Sequence, residues 1–93
     1  MLPMQSISVT LTVITTGYDD PTFFYIDDNL YTDVPVDDRS CIPEVLYKIM
    51  NSHIIAKVVE LRFSDEAKDR LSDEYDVIIG LEKLSDYLES DFE

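Results

Sequence analysis

From Gln5 to Thr16 the chain sets apolar against hydroxyl-bearing side chains in turn, with Ile7, Val9, Leu11 and Val13 on one side and Ser6, Ser8, Thr10 and Thr12 on the other. A period of two is the signature of a β-strand, and the β-branched residues suit it. No charged side chain occurs anywhere from Met1 to Tyr18. Free strand edges usually carry Lys or Pro guards, so this strand is expected either in the middle of a sheet or paired across a homodimer. The rest of the chain has to supply what it pairs with.

Gly17, Asp19, Asp20 and Pro21 form a turn cluster, and Thr22 to Ile26, with Phe23, Phe24 and Tyr25, reads as a second strand. A tight turn at Asp27, Asp28 and Asn29 leads into a third strand, Leu30 to Val34, which Pro35 ends. Ser40 as N-cap and Pro43 in the first turn open a helix whose Ile42, Val45, Leu46, Ile49 and Met50 form one apolar stripe. Ile54 to Phe63 returns to strand character, with Ile55, Val59, Leu61 and Phe63 on one side. Ser64 then caps a surface helix that has Ala67 and Leu71 as core contacts and local ion pairs Asp65 with Lys68 and Glu66 with Arg70.

Tyr75 to Ile79 fits a helix running into the last segment better than a strand. From Gly80 to Glu93 a final helix is predicted, because Leu81, Leu84 and Leu88 recur at helical spacing. Glu82, Asp86, Glu89 and Glu93 would then lie about 140° away from the leucines as a row of carboxylates roughly 5 to 6 Å apart. The order β-β-β-α-β-α-α predicts an α+β fold, a three- to four-stranded antiparallel sheet with the helices packed on one face. With 93 residues the chain reads as one domain spanning 1–93.

Charge is the second constraint. Twenty acids against seven bases leave a net −13, more than solubility requires. Asp19 to Asp38 holds seven acids and no base, Arg39 to Arg70 five acids and six bases, and Leu71 to Glu93 eight acids and one base. Ten aromatics and periodic apolar runs argue against disorder. A single cysteine, Cys41, suits a reducing compartment and is expected as a buried small hydrophobe. The opening lacks a basic n-region and is too often interrupted for a signal peptide or membrane span, so a cytoplasmic protein is expected, in the host cell if it is virus-encoded.

Chemistry finds little to stand on. His53 and Cys41 are the lone residues of their kinds, and no metal-ligand set, phosphate-cradling glycine loop or calcium loop occurs. The chain is therefore read as non-enzymatic, without cofactor or metal. What remains is the acidic surface: Glu82, Asp86, Glu89 and Glu93, then Asp65, Asp69 and Asp73 at i, i+4, i+8, then Asp27 and Asp28. Such carboxylates could fill the Arg and Lys pockets that hold nucleic-acid phosphates, with Tyr87 and Tyr31 as aromatic anchors.

In composition and charge layout the chain resembles the small acidic DNA-mimic inhibitors that phages and mobile elements deploy against restriction, CRISPR and other nucleic-acid enzymes. The resemblance implies a partner that is a basic nucleic-acid-binding protein or complex, and it assigns no residue a role. Direct binding of nucleic acid is disfavoured by the charge, and no membrane partner is expected. Two alternatives have the same composition: an assembly module or homodimer pairing through the uncharged first strand, and an immunity or antitoxin protein directed at a basic nuclease.

Overall fold

Three aromatic residues in succession, Phe23, Phe24 and Tyr25, leave the second strand no polar side, so a sheet built around it needs cover on both faces. The computed structural model, which describes residues 8–16, 21–75 and 77–93, provides that cover. Strands β1 (Ser8–Thr15), β2 (Thr22–Ile26), β3 (Asn29–Val34) and β4 (Ile54–Arg62) form one sheet in the order β3-β2-β1-β4. The α+β class and the strand positions follow the sequence. Residues 5–7 of the predicted first strand and the turn at 17–20 lie outside the described residues.

β1 is central, antiparallel to β2 and parallel to β4. Both of its edges are therefore occupied, which corrects the expectation that a homodimer could pair through this strand. The sheet is mixed, though mostly antiparallel, for a simple reason. After β3 a 3-10 turn (Val36–Cys41) and helix α1 (Ile42–Ser52) reverse the chain once, so β4 returns in the direction of β3, which is also that of β1. α1 thus carries the chain over β2 and β1 to the far edge.

The helices divide between the faces instead of sharing one. α1 brings Val45, Leu46 and Ile49 onto Leu11, Phe24 and Val34. α2 (Asp65–Leu71) brings Ala67 and Leu71 onto the opposite cluster of Ile14, Phe23, Tyr25 and Phe63. The pleat sends Phe23 and Tyr25 one way and Phe24 the other, so neither face can be left to water. In β4 the register skips Ala56, a bulge that turns Ile55 toward α1 while Leu61 and Phe63 stay with the second face.

Beyond α2 the predicted helices are absent among the described residues. Turn 74–75 follows, Ile78 bridges back to Ser72, and the Asp73 carboxylate accepts the Tyr75 and Val77 amides at 2.8 and 3.1 Å. From Gly80 onward the chain is an extended strap with 3-10 turns at Leu84–Asp86 and Glu89–Asp91. The acids that would have made a row also penalise a helix, since like charges at i, i+4 cost about 0.2–0.5 kcal/mol per pair. Ser85, Asp86, Ser90 and Asp91 add side chains that compete for local backbone groups.

Tertiary contacts then decide the path of the strap. Gly80 lies flat on the Phe23 ring, where an added Cβ would sit 2.6 Å from two ring carbons. The Leu81 amide donates to the Tyr87 hydroxyl at 2.8 Å, and the Tyr25 hydroxyl donates to the Leu81 carbonyl at 2.5 Å. With its proton so committed, Tyr25 accepts from the Tyr87 hydroxyl at 2.6 Å. Burial, reinforced by that hydroxyl, holds the Tyr25 pKa above the ordinary tyrosine range. Phe92 completes the seal, stacked on Phe63 with ring centroids 5.7 Å apart.

Candidate functional surface

The strap brings several of the acidic residues singled out in the sequence to one end of the molecule. At the β2–β3 turn Asp27 takes a positive φ of 53°, a conformation Asp tolerates better than most residues. Its amide and carboxylate pair with the Thr10 carbonyl and amide at 2.8 and 2.9 Å, fastening the turn to β1. Asp28 accepts from the Ser85 amide at 2.7 Å and its hydroxyl at 3.0 Å, while its carbonyl accepts from Leu84. The Glu82 carbonyl takes the Leu30 amide at 2.9 Å, and Lys83 reaches the Asn29 side chain. Glu82 and Asp86 are thereby held beside the Asp27–Asp28 turn, with both carboxylates exposed.

A second group gathers where the strap ends on α2. Ser64 caps α2 by accepting from the Ala67 amide at 3.2 Å, donates its hydroxyl to the Ser90 carbonyl at 2.7 Å, and donates its own amide to the Asp91 carbonyl at 2.8 Å. Glu89 therefore stands exposed near the start of α2, the turn that also carries exposed Asp65. Asp69 is exposed on the same helix, whereas Asp73 lies beyond its last residue and is spent on the loop described above. Glu93 pairs with Arg62 at 3.4 Å and Asp65 with Lys68 at 3.9 Å, both at the surface. The regular carboxylate ladder predicted from Glu82 to Glu93 does not form; the acids stand instead in two patches along an irregular strap.

Three expectations need correcting outright. Tyr87 is core, 8% exposed and bonded to Tyr25, so it offers no anchor to a partner. Tyr31 is not among them: it is exposed, its ring perpendicular to that of His53 with centroids 6.4 Å apart. Cys41 is exposed, not buried. Arg70 reaches past the predicted Glu66 to Asp91, which is 1% exposed and the one buried carboxylate among the described residues. The pair is two-pronged, with Arg70 Nε donating to Asp91 Oδ1 at 3.2 Å and the second guanidinium nitrogen to Oδ2.

The Leu88 amide also donates to Asp91 at 2.7 Å. Burial by itself raises the Asp91 pKa, but the Arg70 hydrogen bonds, the Leu88 amide and the Arg70 charge outweigh it and hold the carboxyl below its usual range. The role of Asp91 was not visible in the sequence, because it depends on a partner 21 residues away. Among the described residues, no three His, Cys, Asp or Glu are grouped to hold a metal ion, and no helix is long and apolar enough to cross a membrane.

No protein-family model matches the chain, and neither a curated protein nor a solved structure is significantly similar to it.

Proposed function

We propose that the protein is a non-enzymatic acidic inhibitor that occupies a basic, nucleic-acid-binding groove on another protein. The observation that carries this reading is the segregation of charge: residues 39–62 hold four of the seven bases and two of the twenty acids, for a net +2, whereas the rest of the chain carries −15. Opposed charge fields steer encounter and make association fast and salt-sensitive. The residues assigned to contact are the exposed Glu82, Asp86 and Glu89 of the strap, then Asp65 and Asp69 of α2. Asp27, Asp28 and Asp73 hold the fold and add their charge to the field. The partner class, a host defence or nucleic-acid-processing protein, is part of the proposal.

Displacement tests it directly. Bacterial proteins bound to immobilised duplex DNA are challenged with the protein at low salt, and in parallel with a Glu82→Lys, Asp86→Lys, Glu89→Lys variant. The wild type should release a DNA-binding protein, and the variant should need at least about ten-fold more for the same release. Release should fade as salt rises and shortens the Debye length from about 10 Å toward 3 Å. No release, or release indifferent to salt and charge reversal, would sink the proposal.

A further inference from the structure

An apolar groove opens on each face of the sheet, and charge separates the two. The groove beside α1, about 590 Å³ and lined by Leu46, Met50 and Val58 among others, has Glu60 as its one charged lining residue, and α1 and β4 together carry three bases and two acids. Nothing there selects an occupant. The groove on the strap face, about 430 Å³, lies between Phe23, Leu30, Asp33 and Pro35 on one side and Val77 and Ile79 on the other. Val77 and Ile79 are 43% and 56% exposed, so this apolar wall is open to a partner. The two stretches of chain that form the walls, 21–38 and 71–82, hold nine acids and no base. Asp33 lines the groove itself, exposed and in no ion pair among the described residues.

The groove runs along the outer side of β3, an end strand of the sheet. The strap pairs with that edge at Asn29 and Leu30, then leaves along the Asp27–Asp28 turn, where Leu84 and Ser85 bond to Asp28. From Tyr31 to Val34 the edge has no backbone partner among the described residues. Asp33 bars it to a second copy, whose β3 carries the same acid and no base, and attracts a cation instead.

We infer that this edge and groove dock an extended, cationic segment of a partner protein. The segment pairs with β3 beside Tyr31–Val34, seats an apolar side chain between Leu30 and Ile79, and sets a Lys or Arg two residues away against Asp33. Alternate side chains of an added strand point to the same face, so anchor and cation at i and i+2 both turn toward the groove, about 7 Å apart. The receiving residues keep the same step: Leu30 and Asp33 stand opposite Tyr25 and Phe23, because the register skips Tyr31. A neutral segment would leave Asp33 without a partner, and an acidic one would meet nine carboxylates. The volume suits an anchoring side chain with its neighbours, being within the range of about 300–1,000 Å³ for ligand pockets.

A peptide with blocked ends, Thr-Leu-Thr-Arg-Thr-Lys, titrated into the isotope-labelled full chain tests this by NMR. Amide signals of residues 30–35 and 77–80 should shift and saturate with a Kd of roughly 0.1–1 mM. Exchanging the peptide Leu for Ser should weaken binding about ten-fold, and exchanging its Arg and Lys for Glu should abolish it. Asp33→Asn should weaken the original peptide about three-fold and Ile79→Ser about five-fold. Both side chains are exposed, so signals remote from the groove should stay in place. No shift at about 5 mM peptide overturns the inference, as do shifts centred on Glu82, Asp86 and Glu89, equal binding of the Ser peptide, or an affinity that Asp33→Asn leaves unchanged. No DNA enters this measurement, so its failure leaves the displacement test of the proposed inhibitor untouched.

Discussion

The two faces of the sheet are covered by opposite means. On one, a regular amphipathic helix of 11 residues leaves a groove of about 590 Å³ beside it; on the other, a short helix and an irregular strap bury Ile14, Phe23, Tyr25 and Phe63 and leave a smaller groove of about 430 Å³ between Phe23, Leu30 and residues 77–80. A straight helix meets a twisted sheet along one line, and the flanks diverge from it. An irregular segment can follow the twist, provided that its backbone groups find partners. Here they do, through Tyr87, Asp28, Ser64 and Asp91. Close cover in this protein therefore depends on side-chain hydrogen bonds more than on regular secondary structure.

The contrast can be broken hardest at Phe63, which is fully buried and meets Phe23, Tyr87 and Phe92 with centroids 5.9, 5.5 and 5.7 Å away. Phe63→Ala should cost about 4 kcal/mol in urea unfolding. A loss under about 1.5 kcal/mol would mean that the closed face can relax as an open one does.

Asp91 sharpens the same point through pH. Asp91→Asn should cost about 2 kcal/mol at neutral pH, since it removes a charge-assisted pair and alters the bond to Leu88. Because the folded pKa is depressed, the carboxylate contributes fully above the unfolded value of about 3.9 and loses its contribution as pH falls through the folded pKa. The gap in stability between wild type and variant should thus be constant from pH 7 to about 5 and narrow below about 4. A gap that persists at low pH would assign the effect to packing alone.

The smallest effect belongs to the open face. Val58→Thr keeps the branched shape, and at a position 58% exposed it should change stability by less than about 0.5 kcal/mol. A larger loss in the isolated chain would show that the groove contributes to the core as it stands.

Much of the architecture was legible because it rests on local pattern. The alternation through β1, the aromatic run of β2, the Asp-rich turn and the apolar stripe of α1 each repeat with the period of the element they form. Ser64 announced the start of α2 and does cap it, at the Ala67 amide. The strap failed the same method for a physical reason. Leu81, Leu84 and Leu88 have helical spacing, yet Leu88 is 52% exposed while Tyr87 and Asp91 are buried. Their burial depends on Tyr25 and Arg70, distant in sequence, and no window of local pattern contains both partners. The acidic surface was legible as a charge, and its layout was not.

The sequence by itself determined the local elements and the imbalance of charge, because these follow from side-chain type and spacing. Tertiary structure decided the rest. It placed the uncharged strand in the interior of the sheet, sent the helices to opposite faces, and drew the last fourteen residues out of a helix. Like-charged neighbours made that helix marginal, and one glycine on a phenyl ring, two tyrosine hydroxyls and one buried carboxylate outweighed it.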